Sequence, residues 1–445
     1  MDHGSPGGSP GGSPGGSPSG PTGDAAPAAP TGDGREAIEA RLARAGLPPL
    51  RRTAWIEIDG ALLATNLATL RELAGGDLVM PVVKADAYGH GMIPVARILA
   101  AAGADMLCVA TLDEAIALDD AGVGAPLLVL YPVPPGAVSE VARRGIGIAA
   151  GAATMLRDLL AAATREGVGD RLSIELEVET GLGRGGIRPA DIVAAARRIG
   201  AAGARLAGVW SHLQEAEVEE ITAAQVAAYE EALGRLTAAG IAVPRRHLAA
   251  SAAILLGNVP RYDAVRPGLA TYGLLPDELA GAGIDPGDLV PGTARLRPVL
   301  SLRARPVRVV DLPTGHGVSY GPTWRAPRPS RIATLPIGYG DGWPRSLSNR
   351  AEVLVRGRRV PVVGNVAMDA TMIDVSDVPG APVDIADEVV LIGRDGTAEI
   401  SAGEVARWRT TNSWEVVTAL SARLTRVYDA PAGLTGSRPL AQETP

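Results

Sequence analysis

The chain has 445 residues, a formal net charge of −7, and 46% hydrophobic against 20% charged residues. That hydrophobic content allows a full core, and the length suits two domains or one large barrel with an appendage. The acidic balance gives no basic footprint for nucleic acid, the single cysteine, Cys108, excludes an intramolecular disulfide framework, and no apolar run is long enough for a membrane span.

Residues 1–34, a Gly/Ser/Pro repeat, cannot bury apolar surface and read as a disordered tail. They contain neither the basic stretch nor the apolar one that a secretory signal needs, so the cytoplasm is the expected compartment. Residues 35–52 form a lead-in, and the spacing of "REAIEARLARAG" predicts a short helix over 35–46. From 53 to 288 short apolar runs alternate with Ala-rich helical stretches. Strands are expected at 79–84, 106–110, 127–131, 146–149, 173–178, 206–211, 246–249 and 264–266, with helical spacing at 92–102, 113–121, 152–166, 190–202 and 222–239. Eight strands alternating with helices predict a (β/α)8 TIM barrel. A doubly wound sheet is the alternative, but no Gly-rich dinucleotide fingerprint follows the first strand. Residues 289–432 change texture to β-rich runs between Gly/Pro turns, a separate and mostly antiparallel domain that ends in one or two short helices. Residues 433–445 read as a flexible tail.

Phe is absent, and of the 42 Lys+Arg residues only Lys84 is lysine. Arginine can replace lysine wherever a positive charge suffices, but its guanidinium stays charged in proteins and cannot replace an amine that must lose its proton. A lysine that forms a Schiff base is such a case. Chance survival on the surface is the bland alternative.

Active sites of such barrels gather at the carboxyl ends of the strands. Lys84 ends the first expected strand; Ser211 and His212 follow the sixth, Ser251 the seventh, and Arg266 and Gly268 mark the end of the eighth. The fifth runs into "ETGLGRGG", whose glycines can present Arg184 at the rim. The last two loops often hold a phosphate, and an imine-forming lysine facing a phosphate pocket suggests pyridoxal phosphate (PLP). The five histidines and one cysteine show no metal-ligand spacing. Singly, most of these residues have ordinary readings. Tyr88 and Tyr428 could be packing tyrosines, His90 and His316 turn residues, Ser251 a helix N-cap, and Met368 core filling.

Eight segments in order resemble the alanine racemases: "VVKADAYGHG" (82–91), "ETGLGRGGI" (179–187), "GVWSHL" (208–213), "RHLAASAA" (246–253), "VRPGLATYG" (265–273), "GHGVSYG" (315–321), "GNVAMDATMIDVS" (364–376) and "RLTRVY" (423–428). The resemblance covers roughly 50–430 and implies a PLP enzyme built from a TIM barrel and a β domain, working as a homodimer with shared active sites. By that resemblance Lys84 would hold PLP as an imine and serve one face of the substrate α-carbon, and Tyr320 of a second subunit the other. Tyr88, Ser251, the backbone of Gly268 and Leu269, and Tyr428 would hold the phosphate. Arg266 would face the pyridine nitrogen, with His212 linking toward it. Arg184 would contact the cofactor phenolic oxygen and the substrate carboxylate, which the backbone of Met368 would also bind.

Two positions depart from the family pattern: Ala250 stands where Asn is common, and Glu177 where the family often has a carbamylated lysine. A carboxylate there is expected to orient Arg184 without carbamylation. Tyr272 and Tyr339 are expected near the α-carbon, setting substrate size. A racemase of broader scope and a non-catalytic PLP-binding protein remain the alternatives.

Overall fold

The computed structural model describes residues 36–430 and 433–437. The repeat expected as a tail over 1–34 lies outside the described residues. Eight parallel strands form one curled sheet: Leu78–Val79, Leu107–Val109, Leu127–Val129, Gly147–Ala150, Ser173–Glu177, Arg205–Trp210, Arg246–Ala250 and Ala264–Arg266. Each pairs with the next in sequence from the second onward, and the first pairs with the last. The remaining seam is joined by a parallel bridge between Val82 and Cys108, which makes the sheet a barrel. Its strands are almost wholly buried, as parallel strands covered on both faces must be.

Helices lie between the strands where the three- and four-residue spacing placed them. Ala153–Glu166 buries Leu156, Leu159, Leu160 and Ala163, and ends on Gly167 in the left-handed conformation that favours glycine.

The carboxyl-terminal region is mostly antiparallel. Its main sheet runs, in spatial order, Arg358–Pro361, Glu352–Val355, Val389–Asp395, Leu300–Ala304, Ala54–Asp59, Thr425–Ala430 and Gly433–Ser437. Two of these strands differ from the sequence reading. Gly433–Ser437, expected in a flexible tail, pairs antiparallel with Thr425–Ala430, where its backbone groups find partners. Ala54–Asp59, close to the start of the barrel segment, instead lies in the second region's sheet, antiparallel to Leu300–Ala304 and parallel to Thr425–Ala430. The lead-in helix, Ile38–Arg44, packs Ile38 and Leu42 on Trp55 and Val427 of that sheet. No helix among the described residues is long and apolar enough to cross a membrane.

Candidate active site

A cavity of 620 Å3 opens at the carboxyl ends of the barrel strands, and Lys84, Tyr88, Arg184, His212, Ser251, Arg266, Gly268 and Leu269 all line it. Eight positions between Lys84 and Leu269 thus meet in one place, because each ends or follows a barrel strand.

Lys84 begins an unusual turn. Ala85, Asp86, Ala87 and Tyr88 all have φ near +53°, one turn of left-handed helix built without glycine. That conformation costs an L-residue about 1–2 kcal/mol, so the surroundings must hold it. Ala87 N–H bonds back to Val83 O (2.9 Å), Asp86 Oδ1 accepts from Met92 N (2.7 Å), and the buried Arg426 donates twice to Gly89 O. The turn carries Tyr88 into the pocket beside Gly268, where a Cβ on that glycine would lie 2.6 Å from the Tyr88 hydroxyl. Burial lowers the pKa of the Lys84 amine, with a further push from Arg184; Glu114 opposes both.

Ser251 is the first residue of its helix, whose N-cap is Ala250. Its hydroxyl does not cap that helix. It accepts from Gly268 N (3.0 Å) and Ala270 N (3.1 Å), which leaves the hydroxyl proton free to donate to a ligand.

Arg266 is almost wholly buried and lies over the Trp210 ring at 4.7 Å. Its Nη1 donates to His247 Nδ1 and His247 O, and its Nη2 to Ser211 O (2.7 Å), with His212 Nδ1 at 3.5 Å. No bond among the described residues uses its Nε. Behind it runs a chain of partners the sequence reading left without roles. His247 Nε2 donates to Glu175 Oε2 (2.6 Å), and Glu175 Oε1 accepts from Arg245 Nε (3.0 Å) and Nη2 (2.5 Å).

Because Nε2 carries the proton, Nδ1 is the acceptor that fixes Arg266. Burial pushes His247 down to about 4 against the pull of Glu175, so the imidazole is neutral near pH 7. Burial alone would raise Glu175, but His247 and Arg245 outweigh it and hold the carboxyl at about 2. His212, desolvated and facing Arg266, Arg184 and Lys84, is pushed down to about 3.

Arg184 sits on a loop closed by Glu179, whose carboxylate accepts from Gly181 N (2.6 Å) and Gly183 N (3.1 Å). Gly186, at φ +118°, is a required glycine: a Cβ there would meet Glu179 N at 2.3 Å. Glu177 lines the cavity 3.8 Å from Arg184 Nη2, and Tyr131 offers its ring to the guanidinium at 5.8 Å. Burial raises the Glu177 pKa, with Arg184 pulling against it.

Five residues expected at the site lie outside the cavity wall. Tyr428 is buried, and its hydroxyl donates to His90 O (3.0 Å) behind the Lys84 turn. Tyr320 is 75% exposed and Met368 53% exposed on the β region, and neither lines this chain's cavity. The two segments adjoin, since Asn365 Nδ2 donates to Tyr320 O (2.7 Å). Tyr272, expected to set substrate size, is fully buried; its hydroxyl donates to Val82 O (2.9 Å) and its ring stacks on His90 at 4.3 Å. It packs beneath the Lys84 turn and is absent from the cavity wall. Tyr339 is half-exposed and also outside that wall.

The residues present fit PLP. A lysine stands in the cavity, a buried arginine has an Nε–H with no acceptor among the described residues, and a serine hydroxyl and close-approach glycine form a cradle beside a buried tyrosine. No group of three or more His, Cys, Asp or Glu among the described residues could hold a metal ion.

Comparison with known proteins agrees. Residues 58–276 match the alanine racemase N-terminal domain and residues 299–428 the alanine racemase C-terminal domain. The chain is 41% identical over 389 residues to the alanine racemase of Symbiobacterium thermophilum, spanning 85% of this chain and 97% of that one. It is 41% identical over 378 residues to that of Thermobifida fusca, 83% and 96% of the respective chains. Among solved structures, alanine racemase from Bacillus anthracis with bound L-Ala-P superposes with a TM-score of 0.79 at 33% identity, covering 88% of this chain and 99% of that one. The Bartonella henselae alanine racemase with covalently bound pyridoxal phosphate gives 0.73 at 28% identity, over 85% and 100%. With both halves matched and the catalytic-end cavity in place, the chain belongs to the alanine racemase family.

Proposed function

We propose that this protein interconverts L-alanine and D-alanine using PLP attached at Lys84, as a homodimer whose active sites are shared between subunits. One observation carries the reading: the only lysine of the chain lies in the same cavity as Arg266, whose Nε–H has no acceptor among the described residues. Tyr88, Ser251 and the backbone of Gly268 and Leu269 would hold the phosphate, and Arg266 the pyridine nitrogen, backed by His247 and His212. When bound, PLP supplies the electron-withdrawing ring that acidifies the substrate α-hydrogen.

Racemisation needs a proton removed from one side of the α-carbon and another delivered to the opposite side, so two acid/base groups must face each other across it. Lys84 serves one side, and its lowered pKa favours the neutral amine that accepts a proton. Tyr320 serves the other. On its own subunit it projects into solvent, away from the cavity, and a two-fold-related copy would bring it, with the Met368 backbone, over the partner's Lys84. Arg184 takes the substrate carboxylate.

Glu177 replaces a carbamylated lysine as the anion that aims Arg184. Glu177→Gln is expected to raise KM for alanine about tenfold, the scale of one lost hydrogen bond to a charged group, with a smaller change in kcat. Steady-state kinetics of the two proteins decide this, and an unchanged KM would remove Glu177 from the role. Glu177→Lys should recover activity only with bicarbonate.

The reaction itself is tested with L-alanine in heavy water, following α-deuteration and D-alanine together. Deuterated D-alanine is the expected product. Absence of exchange with cofactor bound would sink the alanine reading, and the same assay with serine and basic amino acids would then test the broader racemase. A binding module without turnover would leave the β region, matched over 299–428, without a purpose.

A further inference from the structure

Glu114 lies outside the cavity wall, on the helix Leu112–Asp120 that follows the second barrel strand. Thr111 and Glu114 form a capping box at its start: the Thr111 hydroxyl accepts from Glu114 N (3.3 Å), and Glu114 Oε2 reaches back to Thr111 N (3.2 Å) and Ala110 N (2.8 Å). A capping box needs only one carboxylate oxygen. The other, Oε1, crosses to the neighbouring strand end and accepts from Ala85 N at 2.6 Å. Ala85 is the residue after Lys84 and the first of the four left-handed residues. One side chain thus closes three backbone N–H groups and ties the strained turn to the adjacent loop.

We infer that Glu114 is a positioning residue for Lys84, holding the turn that presents the amine to the cofactor aldehyde. The inference rests on the reading of Lys84 as the attachment site. During attachment the amine nitrogen replaces the aldehyde oxygen, which leaves as water, so the lysine backbone must stay in place while its side chain moves.

Glu114→Gln separates this role from helix capping. Glutamine serves a capping box as well as glutamate, but with its oxygen there its amide nitrogen would face the Ala85 N–H, donor against donor. Two readouts are followed: amide hydrogen exchange of the segment 83–91 in the apoprotein, and the rate at which the visible absorbance of attached cofactor appears at saturating PLP. The expected result is at least tenfold faster exchange confined to that segment, with attachment slowed tenfold or more. Glu114→Asp, too short to reach Ala85 while still able to cap, should behave alike and serves if the glutamine variant does not fold. Wild-type attachment in a variant that has lost the protection would overturn the inference, as would unchanged exchange. Lys84→Arg, run alongside, must abolish the absorbance. If it does not, the reading of Lys84 fails, and the exchange data alone then decide whether Glu114 holds the turn.

Discussion

Lys84→Ala and Tyr320→Phe are each expected to lose at least about a hundredfold in racemase activity, the lower end of what a positioned acid/base group contributes, and to recover activity when mixed. The geometry behind this expectation is the distance between what one chain holds and what the reaction needs. Lys84 lines the cavity, while Tyr320 stands three-quarters exposed on another face with its backbone tied to Asn365. In a two-fold dimer, a heterodimer of the two variants has one site that lacks both groups and one with both intact. Random reassociation of equal amounts makes about half the dimers mixed, so about a quarter of all sites should work. The check is the activity of the mixture after dissociation and reassociation, against each variant treated alone. No recovery would mean that the tyrosine serves its own chain, and the shared-site proposal would fall.

Glu175→Gln is expected to destabilise the apoprotein by about 3 kcal/mol, the scale of breaking a buried ion pair by removing one partner. Glu175 is 1% exposed, and both its oxygens are engaged: one on His247, the other on Arg245. Glutamine leaves the Arg245 guanidinium without its counter-charge and frees His247 to change tautomer, loosening the acceptor that orients Arg266. Urea unfolding of wild type and variant measures the loss, and a difference under 1 kcal/mol would show that Arg266 is held without this chain.

The same histidines set an acid limit. His90 and His247 are pushed down to about 4 and His212 to about 3, each by burial first. Above about pH 6.5, the ordinary histidine value, both folded and unfolded chains hold them neutral. Between that value and about 4 the unfolded chain binds protons that the folded one refuses, so stability is lost as pH falls through this window, by about 2 kcal/mol per histidine at pH 5. Glu175 does not blur the window. Its depressed carboxyl contributes stability that is fully present above the ordinary carboxylate range and lost only below it.

Much of the barrel side of this site was legible in the sequence. The apolar runs between helically spaced stretches located eight strands, the first of which ends at Val79 and not at Lys84, and a barrel then requires the residues at their ends to meet, whatever their separation. Lys84 stood out by composition alone. The Arg266 support was missed, although "SIELEV" held the signal: Glu175 and Glu177 are two apart on one strand, so they share a face. In a barrel strand two carboxylates on one face must have partners or ligands. Taken singly, Ser251 reads as a helix cap, because local sequence says nothing of Gly268 and Ala270, from whose N–H groups its hydroxyl accepts instead. Tyr272, expected near the α-carbon, lies beneath the Lys84 turn instead, because facing the cavity and packing under that turn leave the same sequence pattern.

The placement of Ala54–Asp59 bears on how the chain can be made and divided. This strand sits inside the sheet of the second region, between segments more than 240 and 360 residues further along. During synthesis it emerges before the barrel, and its neighbours appear only after the barrel is complete, so that sheet closes late and at high contact order. Cutting the gene near residue 289 would therefore yield two incomplete fragments: a barrel trailing an unpaired strand, and a β region with a gap at its centre. Residues 36–60 supplied as a separate peptide should restore the latter, making the earliest part of the described chain the last piece to be installed.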